Sequence, residues 1–324
     1  MKKYIIPASL FVAVFLTGLL CTSHIFIHIG QQSLFLLTPD YFAQVFREPF
    51  PITHIVVSFV TQFFDIPAVG PLVAAALVVA VYFLACAIFR KWSCRAKLSC
   101  ALVPILAACV FVAACPSVRQ ADRHYALEQY ARQHQWDRML KIAPFNVAEK
   151  DRTVIPYAML ALNAKGQLIE KMGAYPLSGP QDLDMEGVQT REGYWFSSIL
   201  DECLGNYNEA LHHLFQASCT MPYGMSHISL YQLIRFNMEN ENYTLARKYA
   251  RILKTNPRNC ILAGKILKSL EGKPDRASSP DKPSAPVVTD SPMYNLAMLR
   301  QAGVQSTMAN ERLAAYVKLT ETLE

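Results

Sequence analysis

Charge along this chain is confined to one part of it, and that constrains the fold more than any motif. Residues 1–115 hold ten charged side chains, and the remaining 209 residues hold 46. A segment so poor in ionised groups belongs where such groups are costly, so the chain reads as a membrane portion joined to a water-exposed one. Composition agrees: 17% of the 324 residues are charged and 52% are hydrophobic, whereas ordinary globular domains carry about 25% charged residues.

Three uncharged runs have the length of a membrane helix, about 20 residues. The first lies within Tyr4 to His28, the second is the 24 residues from Ile66 to Phe89, and the third the 21 from Leu98 to Val118. They predict spans over about 5–27, 67–89 and 98–116. Between the last two sits Arg90-Lys91-Trp92-Ser93-Cys94-Arg95-Ala96-Lys97, with four cations in eight residues. Such a loop stays in the cytoplasm. With Lys2 and Lys3 also inside, three spans deliver the rest of the chain to the far side: a multi-pass protein of the bacterial inner membrane, N-terminus cytoplasmic and C-terminal part periplasmic.

Pro49 to Phe64 is uncharged for 16 residues, too short for a span. A fourth span here would also put the basic loop outside. A helix over about 51–64, interfacial or re-entrant, is the expectation, and Phe35, Tyr41, Phe42, Phe46 and Phe50 nearby suit a headgroup region. Two lysines before an apolar run also open signal peptides; the first run is read as a retained anchor.

The net charge of +6 does not point to nucleic acid. The first 115 residues supply +4, and the others only +2 from 24 basic and 22 acidic side chains, without the basic footprint a phosphate backbone needs. Of nine cysteines, Cys203, Cys219 and Cys260 lie in the charged part and none shows CxxC spacing. One disulfide among them is open if that part is periplasmic.

The charged part carries a repeat. Leu204-Gly205-Asn206-Tyr207-Asn208-Glu209-Ala210-Leu211 resembles the middle of a tetratricopeptide repeat, where a turn joins two antiparallel helices and a small residue packs at their crossing. Ala217 and Pro222 fall at the repeat's second small position and its closing proline. Asp201 stands where that family prefers tyrosine. Asn242-Tyr243-Thr244-Leu245-Ala246 repeats the pattern 36 residues later, with Pro257 after it; a period near 34 marks stacked helical hairpins. Ala164-Lys165-Gly166-Gln167-Leu168 and His134-Gln135-Trp136-Asp137 look like degenerate copies of the turn. The fold expected is therefore all-α: N-terminal transmembrane helices (1–118), then a tetratricopeptide-like α-hairpin solenoid (119–271). Gly205, Tyr207, Ala210, Ala217, Pro222, Tyr243, Ala246 and Pro257 are its packing residues.

Residues 272–292 hold Pro274, Pro280, Pro283, Pro286 and Pro292 and read as a flexible linker. The tail, 293–324, reads as helices over Met293 to Arg300 and Asn310 to Leu323. It is expected to form a simple terminal hairpin in preference to a cap docked on the repeats or a segment that binds separately.

Catalytic signatures are missing. There is no Gly-rich phosphate loop, His-Glu-x-x-His or Gly-x-Ser-x-Gly. Asp182-Leu183-Asp184-Met185-Glu186-Gly187 imitates a calcium loop, but Gly193 stands where its bidentate glutamate is required; a solvated acidic loop is expected. His212 and His213, being adjacent, point to different helix faces and read as surface residues. His24 and His28, one helical turn apart, form with Asp40, His54 and Asp65 a speculative polar cluster at the outer membrane face. No metal and no cofactor is expected.

Pro39-Asp40-Tyr41-Phe42, Phe59-Val60-Thr61-Gln62-Phe63-Phe64, the stretch from Tyr125-Ala126-Leu127 to Trp136-Asp137, and the two later repeats together resemble a domain-of-unknown-function family of bacterial membrane proteins. Its members join an N-terminal membrane region to a tetratricopeptide-like tail. The resemblance covers most of residues 30–260, supplies no catalytic residues, and leaves this chain with fewer spans than the family implies. The function expected is a membrane-anchored scaffold that binds a protein or peptide partner in the cell envelope. The alternative is an accessory subunit or enzyme of envelope glycan or lipid assembly or transport, acting through the five-residue cluster. The absence of catalytic signatures leans away from an enzyme.

Overall fold

The computed structural model describes residues 2–88, 95–185, 189–221, 224–275, 291–301 and 306–321. Pro222, Arg90 to Cys94, Glu186 and Gly187, most of the proline-rich segment (276–290) and Leu323 lie outside the described residues. Every regular element among the described residues is helical. The chain divides into two compact units, Met1–Phe35 with Ala43–Tyr125, and Leu36–Phe42 with Ala126–Glu324.

The first unit is built from α1 (Lys2–Cys21), α2 (Ser23–Gln32), part of α3 (Pro39–Val45), α4 (Pro51–Thr61), α5 (Val69–Ile88), α6 (Arg95–Ala114) and the start of α7 (Pro116–Arg132). Helix α1 packs on α5 and α6, and α2 on α5. The run expected as one span over 5–27 is broken. The helix stops at Thr22 and turns by 79° into α2. Thr22 turns its hydroxyl back to the Gly18 carbonyl at 3.2 Å, a local bond that competes with helix continuation. Asp122 then accepts the His24 and Ile25 N–H groups at 2.8 and 3.1 Å, satisfying donors that a helix start leaves orphaned.

The third expected span also ends early. Helix α6 stops at Ala114, and a 62° bend at Cys115 leads into α7, because Pro116 cannot donate into the preceding turn and pushes Cys115 out of helical geometry. Among the described residues no single helix is long and apolar enough to cross a membrane; the two bent pairs each are, taken together. Helix α4, opened by Pro51, is uncharged and 11 residues long. Large apolar side chains stand exposed on α4 (Ile52, Val56, Val57), α5 (Leu77, Val81, Leu84) and α6 (Val110, Phe111).

The second unit begins with the end of α7 and α8 (Trp136–Ile142), then α9 (Phe145–Ala148), α10 (Ile155–Ala164) and α11 (Leu168–Lys171). It continues through α12 (Arg191–Leu204), α13 (Tyr207–Cys219), α14 (His227–Glu239), α15 (Tyr243–Lys254) and α16 (Cys260–Ser269), and ends with α17 (Pro292–Gln301) and α18 (Thr307–Glu321). Residues 36–42 belong to it as well: Leu37 donates its N–H to Thr255 O at 3.0 Å.

Four helix pairs, α7–α8, α10–α11, α12–α13 and α14–α15, are joined by the same turn. Each turn has a left-handed residue, His134, Gly166, Gly205 and Glu241 in order. The next N–H in each case bonds the carbonyl five residues back: Gln135 to Tyr130, Gln167 to Leu162, Asn206 to Asp201 and Asn242 to Asn237, at 2.7 to 2.9 Å. This closure satisfies a helix C-terminus and, being short, makes the two helices antiparallel neighbours.

The second pair is incomplete. Its second helix, α11, is one turn followed by a 3-10 turn at Met172–Ala174. Helix α18 packs there instead, against α10, α11 and α12. Glu311 accepts the Leu168 N–H at 2.8 Å and an Asn163 Nδ2 hydrogen at 3.1 Å, capping α11, whose own N-cap residue makes no side-chain bond. Arg312 donates to the Leu183 carbonyl, and Tyr316 donates its hydroxyl to Asp184. Leu296, Ala309, Ala315 and Tyr316 join Tyr157, Leu160, Phe196 and Leu214 in one apolar core. The tail is therefore a docked element of the second unit as well as a pair of packed helices, which corrects the expectation of a simple terminal hairpin.

Candidate functional site

A cavity of about 340 Å³ lies within the second unit, between the α12–α13 hairpin and the C-terminal pair α17–α18. Helical periodicity aims its lining. On α12, Tyr194, Ser197, Asp201 and Leu204 fall on one stripe; on α13, Glu209, His213 and Gln216 do the same. The residues between them, Phe196, Ile199, Ala210 and Leu214, face the core. Helix α18 adds Arg312 and Tyr316, one turn apart, and α17 adds Asn295, Leu296 and Leu299.

Charge is concentrated there. Asp201 Oδ2 lies 2.8 Å from His213 Nδ1. Burial raises the Asp201 carboxyl above the usual carboxylate range and Glu209 adds to the rise, while His213 and Arg312 oppose it. Arg312 is 1% exposed; no carboxylate among the described residues lies within salt-bridge distance of it, and its Nη1 has no acceptor. Gln216 Oε1 is likewise buried and lacks a donor. Glu209, in the first turn of α13, forms no hydrogen bond or ion pair among the described residues. The arrangement is one for binding a polar group. It brings together a held imidazole, the Asp201 and Glu209 carboxylates and a buried guanidinium, against an aliphatic wall.

The repeat residues named from sequence are placed as follows. Gly205 takes φ +79° at the end of α12, where a side chain would be strained. Ala210, Ala217 and Ala246 are fully buried, and Ser198 donates its hydroxyl to the Ala210 carbonyl at 2.8 Å across the hairpin. Tyr207 meets Phe236 of the next pair at 6.1 Å between centroids, and Tyr243 lies under the Lys273 ammonium at 5.4 Å. Pro257 is half-buried just before α16; Pro222 is outside the described residues.

The residues of the five-residue polar cluster are placed as follows, and no three His, Cys, Asp or Glu side chains among the described residues are arranged to hold a metal ion. His24 pairs instead with Asp122, Nδ1 to Oδ2 3.0 Å. His28 stacks on Tyr125 at 3.7 Å, His54 contacts Ser58 Oγ at 3.3 Å, and Asp40 is exposed in the first turn of α3. Asp65 lies where the chain crosses Gly30, at which a Cβ would come within 2.5 Å of the Asp65 nitrogen. Cys203, Cys219 and Cys260 are free thiols, and burial pushes the Cys203 thiol up to about 12.

Sequence reasoning passed over the cavity. His213 is not a surface residue but the partner of Asp201, and Asp184 is held by Tyr316 and not left as part of a solvated loop. One signal was present: Asp201 and His213 are twelve residues apart, the offset that also joins Ser198 to Ala210 across the hairpin. An aspartate in the tyrosine position therefore faces whatever stands at 213. The contribution of Arg312 and Tyr316 had no such signal, because it depends on where the tail docks.

Residues 1–125 and 108–271 match a family of unknown function (DUF6057). The chain belongs to that family. The match runs through the first unit, the four hairpins and α16, and stops short of α17 and α18, so the family's matched region supplies one side of the cavity and the tail the other. No curated protein and no solved structure matches the chain.

Proposed function

We propose that this member of the family is a membrane-anchored helical-repeat protein of the bacterial cell envelope. Its first 118 residues hold it in the inner membrane, N-terminus in the cytoplasm. Its tetratricopeptide-like hairpins, stacked as a short solenoid in the periplasm, bind a protein or peptide partner. Anchoring is supported by the apolar side chains that α4, α5 and α6 turn outward, since soluble monomers rarely expose contiguous patches beyond a few hundred Å². The bent pairs α1–α2 and α6–α7 have the length and composition to reach across a bilayer as broken spans. Phe46 and Phe50, both exposed, suit the headgroup level.

The observation that carries the binding half is the cavity on the α12–α13 hairpin, where buried polar atoms of Arg312 and Gln216 lack partners. The glycan or lipid alternative rests on His24, His28, Asp40, His54 and Asp65 acting together, of which His24 is held by Asp122. A photo-crosslinking amino acid at Glu209, on the cavity, and another at Leu262, exposed on α16, test the reading in intact cells. A discrete adduct from position 209 and none from 262 is expected. Silence at 209, or the same adducts at both, would count against partner binding at this face.

A further inference from the structure

We infer that α15 and α16, the helices that end the repeats, form a face that docks on an anionic lipid surface. The inference goes beyond partner binding and rests on the anchoring half of the proposed function. The nearly balanced charge of residues 116–324 hides a local excess. Tyr243 to Leu270 hold seven cations and no Asp or Glu, whereas the rest of that part has 17 basic and 22 acidic side chains. A face that needs only solvation mixes both signs. Arg247 is spent inside the fold, donating to the Leu270 and Lys273 carbonyls at 3.0 and 2.9 Å. Lys248, Arg251, Lys254, Lys265 and Lys268 are exposed, and none of the five has a carboxylate partner among the described residues. Complementarity to the helix dipole accounts for Arg251 and Lys254, in the last turn of α15, but not for Lys248 or Lys265.

Register places these side chains. On α15, Ala246, Ala250 and Leu253 are buried, which turns Lys248 and Arg251 to the opposite side of the helix. On α16, Ala263 is buried, and Ile261, Lys265 and Lys268 share the stripe opposite to it. Ile261 stands 72% exposed at the head of that stripe, with Leu262 beside it at 42%. Cations flanking exposed aliphatic side chains suit a bilayer surface: headgroup phosphates take the charge, and the acyl boundary takes the apolar groups. An acidic protein would answer the cations alone. Chain continuity also favours lipid. Leu37, 60% exposed, donates its N–H to the Thr255 carbonyl at the end of α15, and its segment joins directly to Phe35 and Ala43 of the charge-poor unit.

The test places a photo-crosslinking amino acid at Ile261 or, for comparison, at Phe145, which is exposed on α9. The full chain is reconstituted into liposomes of phosphatidylcholine alone, or of phosphatidylcholine and phosphatidylglycerol in equal parts, and phospholipid adducts are scored by mass spectrometry. Position 261 should give adducts in the anionic liposomes and at least about fivefold fewer in the neutral ones, since each cation near an anionic surface is worth about that factor. High salt, which screens exposed charges, should lower the yield in the same way; position 145 should respond to neither. Lys265→Gln combined with Lys268→Gln, at exposed positions, should keep the melting temperature and cut the yield at 261 at least about fivefold. Resistance to alkaline extraction reads anchoring by itself. An extracted chain that still gives lipid adducts at 261 removes the anchor and keeps this face; a retained chain without them removes this face alone. Equal yields in neutral and anionic liposomes, an unchanged yield in the double variant, or a protein adduct at 261 in place of lipid in intact cells would overturn the assignment.

Discussion

Glu241 and Gly205 occupy the same place in successive hairpin turns with nearly equal left-handed backbones, φ +57° and +79°. An L side chain is disfavoured there by about 1–2 kcal/mol, partly offset by the freedom glycine loses on folding. Gly205→Ala should therefore lower the unfolding free energy by roughly 0.5–1 kcal/mol, which denaturant titration reads. Asp201 makes a second test. Its folded carboxyl sits above the unfolded value because of burial and Glu209, with His213 and Arg312 pulling the other way. The penalty is thus full at neutral pH, and it fades as pH falls through the raised value toward the unfolded one near 4. Asp201→Asn, which keeps an acceptor for His213, should melt higher than the parent at pH 7 and alike near pH 4. At the same scale the thiols should separate. Cys219 is exposed and Cys203 is pushed up to about 12 by burial, so maleimide should modify Cys219 in the folded chain and reach Cys203 only on unfolding.

Among elements, the short α11 makes the tail indispensable. Glu311 caps it, and Arg312 and Tyr316 close the notch beside it, so removing residues 291–324 opens the core around Leu160 and leaves two helix-start N–H groups unpaired. A large fall in melting temperature is expected for that truncation. Glu311→Gln, which can still accept a hydrogen bond, should cost only about 1 kcal/mol. A second bond of this kind joins pairs. Glu202, 3% exposed on its side chain, binds Arg235 of α14 and lies 3.7 Å from His134 of the first turn. Arg235→Ala strands that carboxylate and should cost about 2 kcal/mol by denaturant unfolding. Both arrangements explain where sequence was legible. The turns at 134, 166, 205 and 241 could be read because their signals are local, a left-handed residue between two apolar stripes. The seat of α18 could not, since it joins residues about 140 positions apart (Leu168 to Glu311) and no pattern in either segment names the other.

For the whole molecule, the helical class followed from periodicity, and the division into a charge-poor and a charged portion lies close to the boundary at Tyr125. The continuity of the spans did not follow, because hydropathy does not register the Thr22 and Cys115 bends. Topology belongs to this scale. In a chain whose only cysteine is Cys219, a membrane-impermeant maleimide added to intact cells should label it if the repeats are periplasmic; labelling only after lysis would reverse the orientation. Any such work has to respect how the chain is threaded. Residues 36–42 leave the first unit, bond to the end of α15 through Leu37, and return at Ala43, so the polypeptide crosses between units three times. No single cut separates them: a fragment beginning at Ala126 is missing seven residues of its own fold, and supplying that segment as a separate peptide should restore part of the stability the cut removes.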